Sequence, residues 1–155
     1  MEELIKEERT REFPKFNADI AYDIGKYITD YSFKENKEIS VEIFAYGKIM
    51  YRFSSDLSTQ NHDLWLLRKR NVVLFFNHSS KYIYNKINKD QSVLVSKYGL
   101  NYEKYAAVSG SFPIIIKDCG LVGAITVTGL TPDEDHQIVL EAIENNLKSS
   151  CNKQS

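Results

Sequence analysis

Phe112-Pro113-Ile114-Ile115-Ile116, then Lys117-Asp118-Cys119-Gly120, then Leu121-Val122-Gly123-Ala124-Ile125-Thr126-Val127-Thr128 decide the fold, together with the Thr131-Pro132-Asp133-Glu134 string that follows. Two β-branched runs flank four turn residues, the pattern of a β-hairpin. Pro113 has no N–H for a ladder, which confines it to a strand entry, an edge or a bulge. Thr131 then supplies a helix cap, Pro132 takes the first helical position and Glu134 the third, where it can reach back to the cap. Val139, Ala142, Ile143 and Leu147 mark the buried face of that last helix.

The same pattern stands at the other end of the chain. Asn17 caps a helix whose apolar residues Ile20, Ile24, Tyr27, Ile28 and Tyr31 recur at spacings of three and four. Asp19 sits where the helix dipole favours a negative charge. Ile39, Val41, Ile43 and Ala45 alternate with Ser40, Glu42, Phe44 and Tyr46, the period of a half-buried strand. Gly47-Lys48 turns the chain and Ile49–Phe53 returns, a second hairpin. Between the hairpins lies Leu64-Trp65-Leu66-Leu67-Arg68-Lys69-Arg70-Asn71-Val72-Val73-Leu74-Phe75-Phe76, free of Gly and Pro. The run predicts a helix capped by Asn61 or Asp63. It is apolar around most of its circumference, so it must be covered on more than one side, by another layer or by another subunit. His78-Ser79-Ser80 ends it, a helical stretch through Tyr82, Ile83 and Ile87 follows, and 98–105 is a connector. The order α-ββ-αα-ββ-α predicts an α+β domain with helices packed on one antiparallel sheet. Residues 1–15 read as a charged lead-in with room for one short helix, 16–148 as a single domain and 149–155 as a frayed polar tail.

The 155 residues suffice for one core, and 20 Lys+Arg against 21 Asp+Glu leave a net charge of −1. That balance argues against nucleic acid as a partner, since one basic triplet is no basic stripe. Cys119 and Cys151 are far apart and fit no metal or redox spacing. The acidic N-terminus lacks the basic region of a signal peptide, and no apolar run approaches the roughly 20 residues of a membrane span. The expectation is a soluble, reduced, cytoplasmic protein that does not engage membranes. Half of the ten tyrosines (Tyr82, Tyr84, Tyr98, Tyr102, Tyr105) fall in 82–105. Tyrosine joins apolar area to a polar tip, which suits surfaces that meet other surfaces.

Candidate chemistry is sparse. Arg68-Lys69-Arg70 can pair a carboxylate or phosphate, or can snorkel from a helix into water. His62, His78 and His136 show no paired metal-ligand spacing, although one imidazole is enough to hold haem iron. Glu134 and Asp135 beside His136 give it a structural reading, and His78 either caps a turn or bonds a ligand. Ser111 lacks a nucleophile elbow and a local base. Gly120, Gly123 and Gly129 are spread along a strand, unlike a dinucleotide fingerprint. Thr126, Thr128 and Gly129 lead into a helix N-terminus that can receive an anion.

Several of these strings occur in a fixed order: Trp65 with Arg68–Asn71, His78-Ser79-Ser80, Gly110-Ser111-Phe112-Pro113-Ile114, and Gly123–Leu130 with Glu134-Asp135-His136. In this the chain resembles the GlcG/HbpS-like family (the haem-degrading domain) from about Phe16 to Leu147, and within it the small stand-alone branch that includes a yeast member. The resemblance implies profilin-like α/β/α layers around a central antiparallel sheet, and assembly into dimers or higher rings. It implies haem for some relatives and no assigned activity for others. Val108-Ser109-Gly110 stands where this branch reads His-Gly-Gly, and Thr128-Gly129-Leu130 where it reads Ser-Gly-Leu.

Three functional readings follow. The first is an oligomeric small-molecule-binding module, for haem or another tetrapyrrole or for an organic anion. Its candidate ligand-binding residues are Trp65, Arg68, Lys69, His78, Tyr82, Ser111, Thr126, Thr128 and His136. Here Arg68 or Lys69 would pair a carboxylate, Trp65 or Tyr82 would form an apolar wall, and the pocket would lie between the Arg68 helix and the sheet. The second is a scaffold that acts through assembly and protein partners. The third and weakest is an enzyme, for which no catalytic residue and no metal site is legible.

Overall fold

The structure, a computed structural model, describes residues 1–153. Helix α1 (Glu2–Arg9) and helix α2 (Ala18–Lys34) precede the hairpin of β1 (Ser40–Ala45) and β2 (Lys48–Ser54). Helices α3 (Gln60–Phe76), α4 (Ser80–Lys86) and α5 (Ser92–Tyr98) follow, then the hairpin of β3 (Ser111–Ile116) and β4 (Gly120–Thr128), then α6 (Pro132–Lys153). The four strands form one antiparallel sheet in the order β2-β1-β4-β3, so the two hairpins join through β1 and β4. Pro113 lies in β3, an edge strand, as its missing N–H requires. Helices α2 and α6 cover one face of the sheet and α3 the other, which is the expected α+β fold in α/β/α layers.

The main core lies under α2 and α6. Ile39, Val41, Ile43, Phe112, Ile114, Ile125 and Val127 from the sheet meet Ile24, Ile28, Val139 and Ile143 from the helices. Alternate strand positions Ser40, Glu42, Ser111, Thr126 and Thr128 are buried too, on the side of α3. Alternation in β1 predicted a half-buried strand. The strand is buried on both faces because a helix layer lies on each, and its polar positions find partners there. Gly123 is close-packed against β1: a side chain there would run into the Phe44 carbonyl.

Local signals set several element ends. Asn17 caps α2, its side chain accepting from the Ile20 N–H at 3.0 Å. Thr131 and Glu134 cap α6 reciprocally. Other ends differ from expectation. The first hairpin turns at Tyr46-Gly47, both at positive φ, one residue earlier than Gly47-Lys48. Helix α3 is capped by Thr59, with the His62 ring accepting from the Thr59 N–H, in place of Asn61 or Asp63. Helix α5 was not anticipated; it ends on Gly99 in the left-handed region. The tail after Lys148 continues as helix to Lys153, with no Gly or Pro to stop it, and 154–155 lie outside the described residues.

The charged lead-in also takes a definite form. Helix α1 packs on α4, and Phe13 is fully buried in the main core. The Phe13 backbone bonds to Ile115 and Lys117 at 2.8 Å each, extending the sheet edge by one bridge. Among the described residues no helix is long and apolar enough to cross a membrane.

Candidate functional site

The basic triplet, read as either an anion site or three snorkelling side chains, is neither as a unit: the helix turns its three side chains in three directions. Arg68 stays at the surface, stacked between the Trp65 and Tyr102 rings at 5.2 and 5.4 Å, with its Nε donating to the Glu103 carbonyl. Arg70 donates to the Glu42 carboxylate at 2.7 Å and lies over the Phe44 ring. Lys69 points inward and is 2% exposed. Its ammonium donates to the Asp135 carboxylate and to the Val127 carbonyl, both at 3.0 Å. Successive helix positions differ by about 100°, so neighbours in sequence seldom share a target.

Lys69 and Asp135 form the polar centre of the α3–β4–α6 junction. Asp135 also accepts from the Leu130 N–H, fixing the loop that enters α6. Burial pushes the Lys69 amine down and the Asp135 carboxyl up, while each partner's charge opposes the shift of the other. A second buried cluster lies nearby. Ser111 Oγ and Thr126 Oγ1 are 2.8 Å apart, and the Ser80 hydroxyl accepts from the Ser111 N–H and donates to the Ser111 carbonyl. Lys69, Ser111 and Thr126 therefore each find partners inside the domain, and Thr128 is buried opposite Ser40. The expected pocket between α3 and the sheet is filled by these contacts.

His78 and His136 have a different environment from the one their neighbours in sequence suggested. His136 does not rest on Glu134 or Asp135. It is 2% exposed, and its Nε2 bonds the Glu7 carboxylate at 3.0 Å. Its Nδ1 is buried and has no hydrogen-bond partner among the described residues. His78 stacks on Tyr82, ring centroids 4.3 Å apart, and its Nδ1 bonds the Glu8 carboxylate at 3.0 Å. Burial pushes Glu8 above the ordinary carboxylate range, against the pull of His78. Burial also acts upward on Glu7, but the bonded His136, with Lys81 and Arg11 close by, holds it below that range.

Of the sequence candidates, the structure brings together His78, Tyr82 and His136 around α1, and Lys69, Ser111 and Thr126 in the interior. Trp65 and Arg68 stand apart on the outer face of α3. Reading of the residues missed Glu7, Glu8, Lys6 and Arg9 altogether, since the lead-in showed only charge. Grooves flank α1 on both sides. One of about 630 Å³ is lined by Met1, Glu2, Ile5, Lys6, Arg9, Thr10 and Tyr82. The other, of about 330 Å³, includes Lys6, Glu7, Arg11 and Lys81. The start of α6 is a poor anion site, because Asp133, Glu134 and Asp135 fill its first turn. Among the described residues no three His, Cys, Asp or Glu side chains are grouped to hold a metal ion.

Residues 16–144 match the family described as haem degrading protein HbpS-like. A UPF0303 protein of Psychromonas ingrahamii is 33% identical over 151 residues, covering 96% of this chain and 94% of its own. One from Brucella anthropi is 33% identical over 145 residues, 94% of this chain and 86% of its own. Among solved structures, the yeast protein Ybr137w superposes with a TM-score of 0.87 at 26% identity, covering 97% of this chain and 88% of that one. HbpS superposes at 0.65 with 17% identity, over 83% of this chain and 86% of that one. The protein of a PduOC:heme complex superposes at 0.63 with 13% identity, over 83% and 93% of the two chains. The last two likenesses are of fold.

Proposed function

We propose that this chain, which belongs to the HbpS-like family, is a binding module for a small organic anion and works as a homo-oligomer. The observation that carries the reading is the larger groove beside α1. Met1, Ile5 and Tyr82 give it apolar walls, while Lys6 and Arg9 supply two cations against the one acid, Glu2. An apolar skeleton bearing carboxylates suits that combination, the skeleton against Tyr82 and the carboxylates against the cations.

Haem is the candidate ligand, raised by the family's description and by the haem complex of a structural relative. One imidazole is offered to it, that of His78, which stacks on the groove residue Tyr82 without itself lining the groove. His62 is committed to capping α3 and His136 is buried. His78 is 35% exposed on its side chain, and Glu8 holds its Nδ1. Among the described residues Nδ1 is the ring nitrogen that is engaged, so Nε2 would be the one to ligate iron, and a carboxylate behind a ligating imidazole fixes its tautomer and orientation. His78 would hold the iron, and Lys6 and Arg9 would face the propionates. Bound haem would supply a redox-active, Lewis-acidic iron. Titration of the purified protein with haemin tests this. A shifted Soret band is expected, weakened by His78→Ala and by Lys6→Ala/Arg9→Ala. No shift at micromolar haemin removes the tetrapyrrole.

One observation favours the scaffold reading. The outer face of α3 shows Leu64 and Phe75 at 47% and 50% exposure, beside the Trp65–Arg68–Tyr102 stack. Aromatic and Arg anchors of this kind are typical of interface centres. If assembly is the whole activity, Arg68→Ala lowers the mass seen by light scattering and no ligand changes it.

A further inference from the structure

We infer that a second binding site, for a small uncharged aromatic molecule, lies between α4, the loop 106–110 and the start of α6, with the Ser109 hydroxyl as its polar anchor. Both the place and the ligand class differ from those of the anion groove beside α1.

The cavity has a volume of about 340 Å³ and is lined by Tyr84, Val108, Ser109, Thr131, Pro132 and Asp133. That lies near the lower end of the range for ligand pockets, about 300–1,000 Å³. It is more enclosed than either groove beside α1. Helix α4 stands between the two places. Tyr82 lines the larger groove, whereas Tyr84, two positions on and so about 200° round the helix, lines this cavity.

Ser109 is the residue that points to a ligand. It is 3% exposed, yet its hydroxyl makes no hydrogen bond among the described residues. Buried polar atoms are almost always paired. Nor is this hydroxyl sealed off. The fully buried side-chain atoms that lack partners belong to other residues, so the Ser109 hydroxyl reaches the cavity that its residue lines. The backbone around it is pinned on both sides. Gln91 holds Ala107 twice, accepting from its N–H and donating to its carbonyl, both at 2.9 Å. The Gly110 carbonyl accepts from the Val127 N–H at 2.8 Å. Gly110, at φ +133°, is pressed so close to the Lys69 ammonium and the Val127 carbonyl that no side chain would fit there. A free hydroxyl on a loop held this firmly is preorganised for a partner from outside the chain.

The rest of the lining sets the ligand class. Tyr84, Val108 and Pro132 give apolar walls suited to a flat ring. The one charged residue of the lining, Asp133, is paired with Lys81 at 3.5 Å. Thr131 donates to Glu134 at 2.7 Å, and behind the loop Asp135 is held by Lys69. With these charges already matched, the cavity offers an ion no counter-charge, and an uncharged molecule avoids the cost of desolvating one. A single ring bearing one amide or hydroxyl group answers these conditions. Its ring lies against Tyr84 and Pro132, and its polar group meets the Ser109 hydroxyl, which can both donate and accept.

The test titrates benzamide into the full-length chain and into its Ser109→Ala and Val108→Phe variants, read by amide NMR shifts, with thermal unfolding of each protein alongside. In the wild type, millimolar benzamide should shift the Ser109, Gly110 and Thr131 amides in a saturable way. Ser109→Ala should keep the wild-type Tm, since no internal bond is lost, and should weaken binding about three- to tenfold, the worth of one hydrogen bond. Val108→Phe should fill the cavity and abolish the shifts. Benzoate and benzylammonium, of the same size but charged, should bind more weakly than benzamide. Absence of saturable shifts in the wild type overturns the inference, as do shifts centred on Ile5, Lys6 and Tyr82 in the groove beside α1. Equal affinity in Ser109→Ala means that the hydroxyl serves only water, and a lowered Tm means that it is structural; either result overturns the assignment. Unchanged binding by Val108→Phe removes the place, and benzoate or benzylammonium binding as tightly as benzamide removes the ligand class.

Discussion

Lys69→Met removes one half of the ion pair at the α3–β4–α6 junction and leaves the other half stranded. Asp135 keeps its hydrogen bond from the Leu130 N–H but loses the Lys69 ammonium at 3.0 Å, in a site where its side chain is 2% exposed. The Val127 carbonyl loses a donor as well. Breaking a buried pair from one side costs about 3–5 kcal/mol. For a domain of this size that corresponds to a fall in Tm of roughly 6–20 °C, at about 2–4 °C per kcal/mol. Removing both charges, as Lys69→Met/Asp135→Leu, strands no charge; it leaves the Leu130 N–H and the Val127 carbonyl short of these partners, at about 1–3 kcal/mol each, and the Val127 loss is already present in Lys69→Met. The double variant should therefore be more stable than Lys69→Met alone. Urea unfolding of the wild type, both singles and the double closes the cycle. A Lys69→Met loss below about 1 kcal/mol, or a double variant whose loss equals the sum of the singles, would refute the reasoning, because uncoupled groups add.

Two further expectations concern the N-terminal segment. Phe13→Ala should cost about 3–5 kcal/mol in urea unfolding, the range for a buried Phe; a loss under about 0.5 kcal/mol would make residues 1–15 a mere appendage. Glu7, held below its ordinary value of 4.5, lends stability that is present above that pH and is lost as pH falls through its lower folded value. Glu8, pushed up by burial, works in the opposite direction. Across the acid range Glu7→Gln should thus flatten the fall of the urea midpoint and Glu8→Gln should steepen it; identical slopes in all three proteins would show that neither pair governs acid stability.

Elements whose signals are local were legible in the residues. Asn17, Thr131-Pro132, the alternation of 39–45 and the β-branched runs flanking Lys117–Gly120 placed helix starts and strands within a few residues, because caps, turns and side-chain period depend on neighbours in the chain. Membership of the family was legible too, through strings kept in order. The interior of the candidate site was legible only as residue types. Arg68, Lys69 and Arg70 read alike in sequence, yet they meet an aromatic stack, a buried carboxylate and a strand glutamate.

The sequence by itself thus determined the α+β layering, the two hairpins and the capped final helix, each a consequence of period and turn chemistry over a few residues. Only the tertiary structure decided which charges are paired. Glu7 meets His136 across 129 residues and Glu8 meets His78 across 70, and Lys69 meets Asp135 across 66. No local pattern encodes such partners, since a carboxylate beside other charges looks the same whether it faces water or an imidazole. The packing of α1, α3 and α6 around the sheet brings these groups together, and burial makes each one depend on its partner.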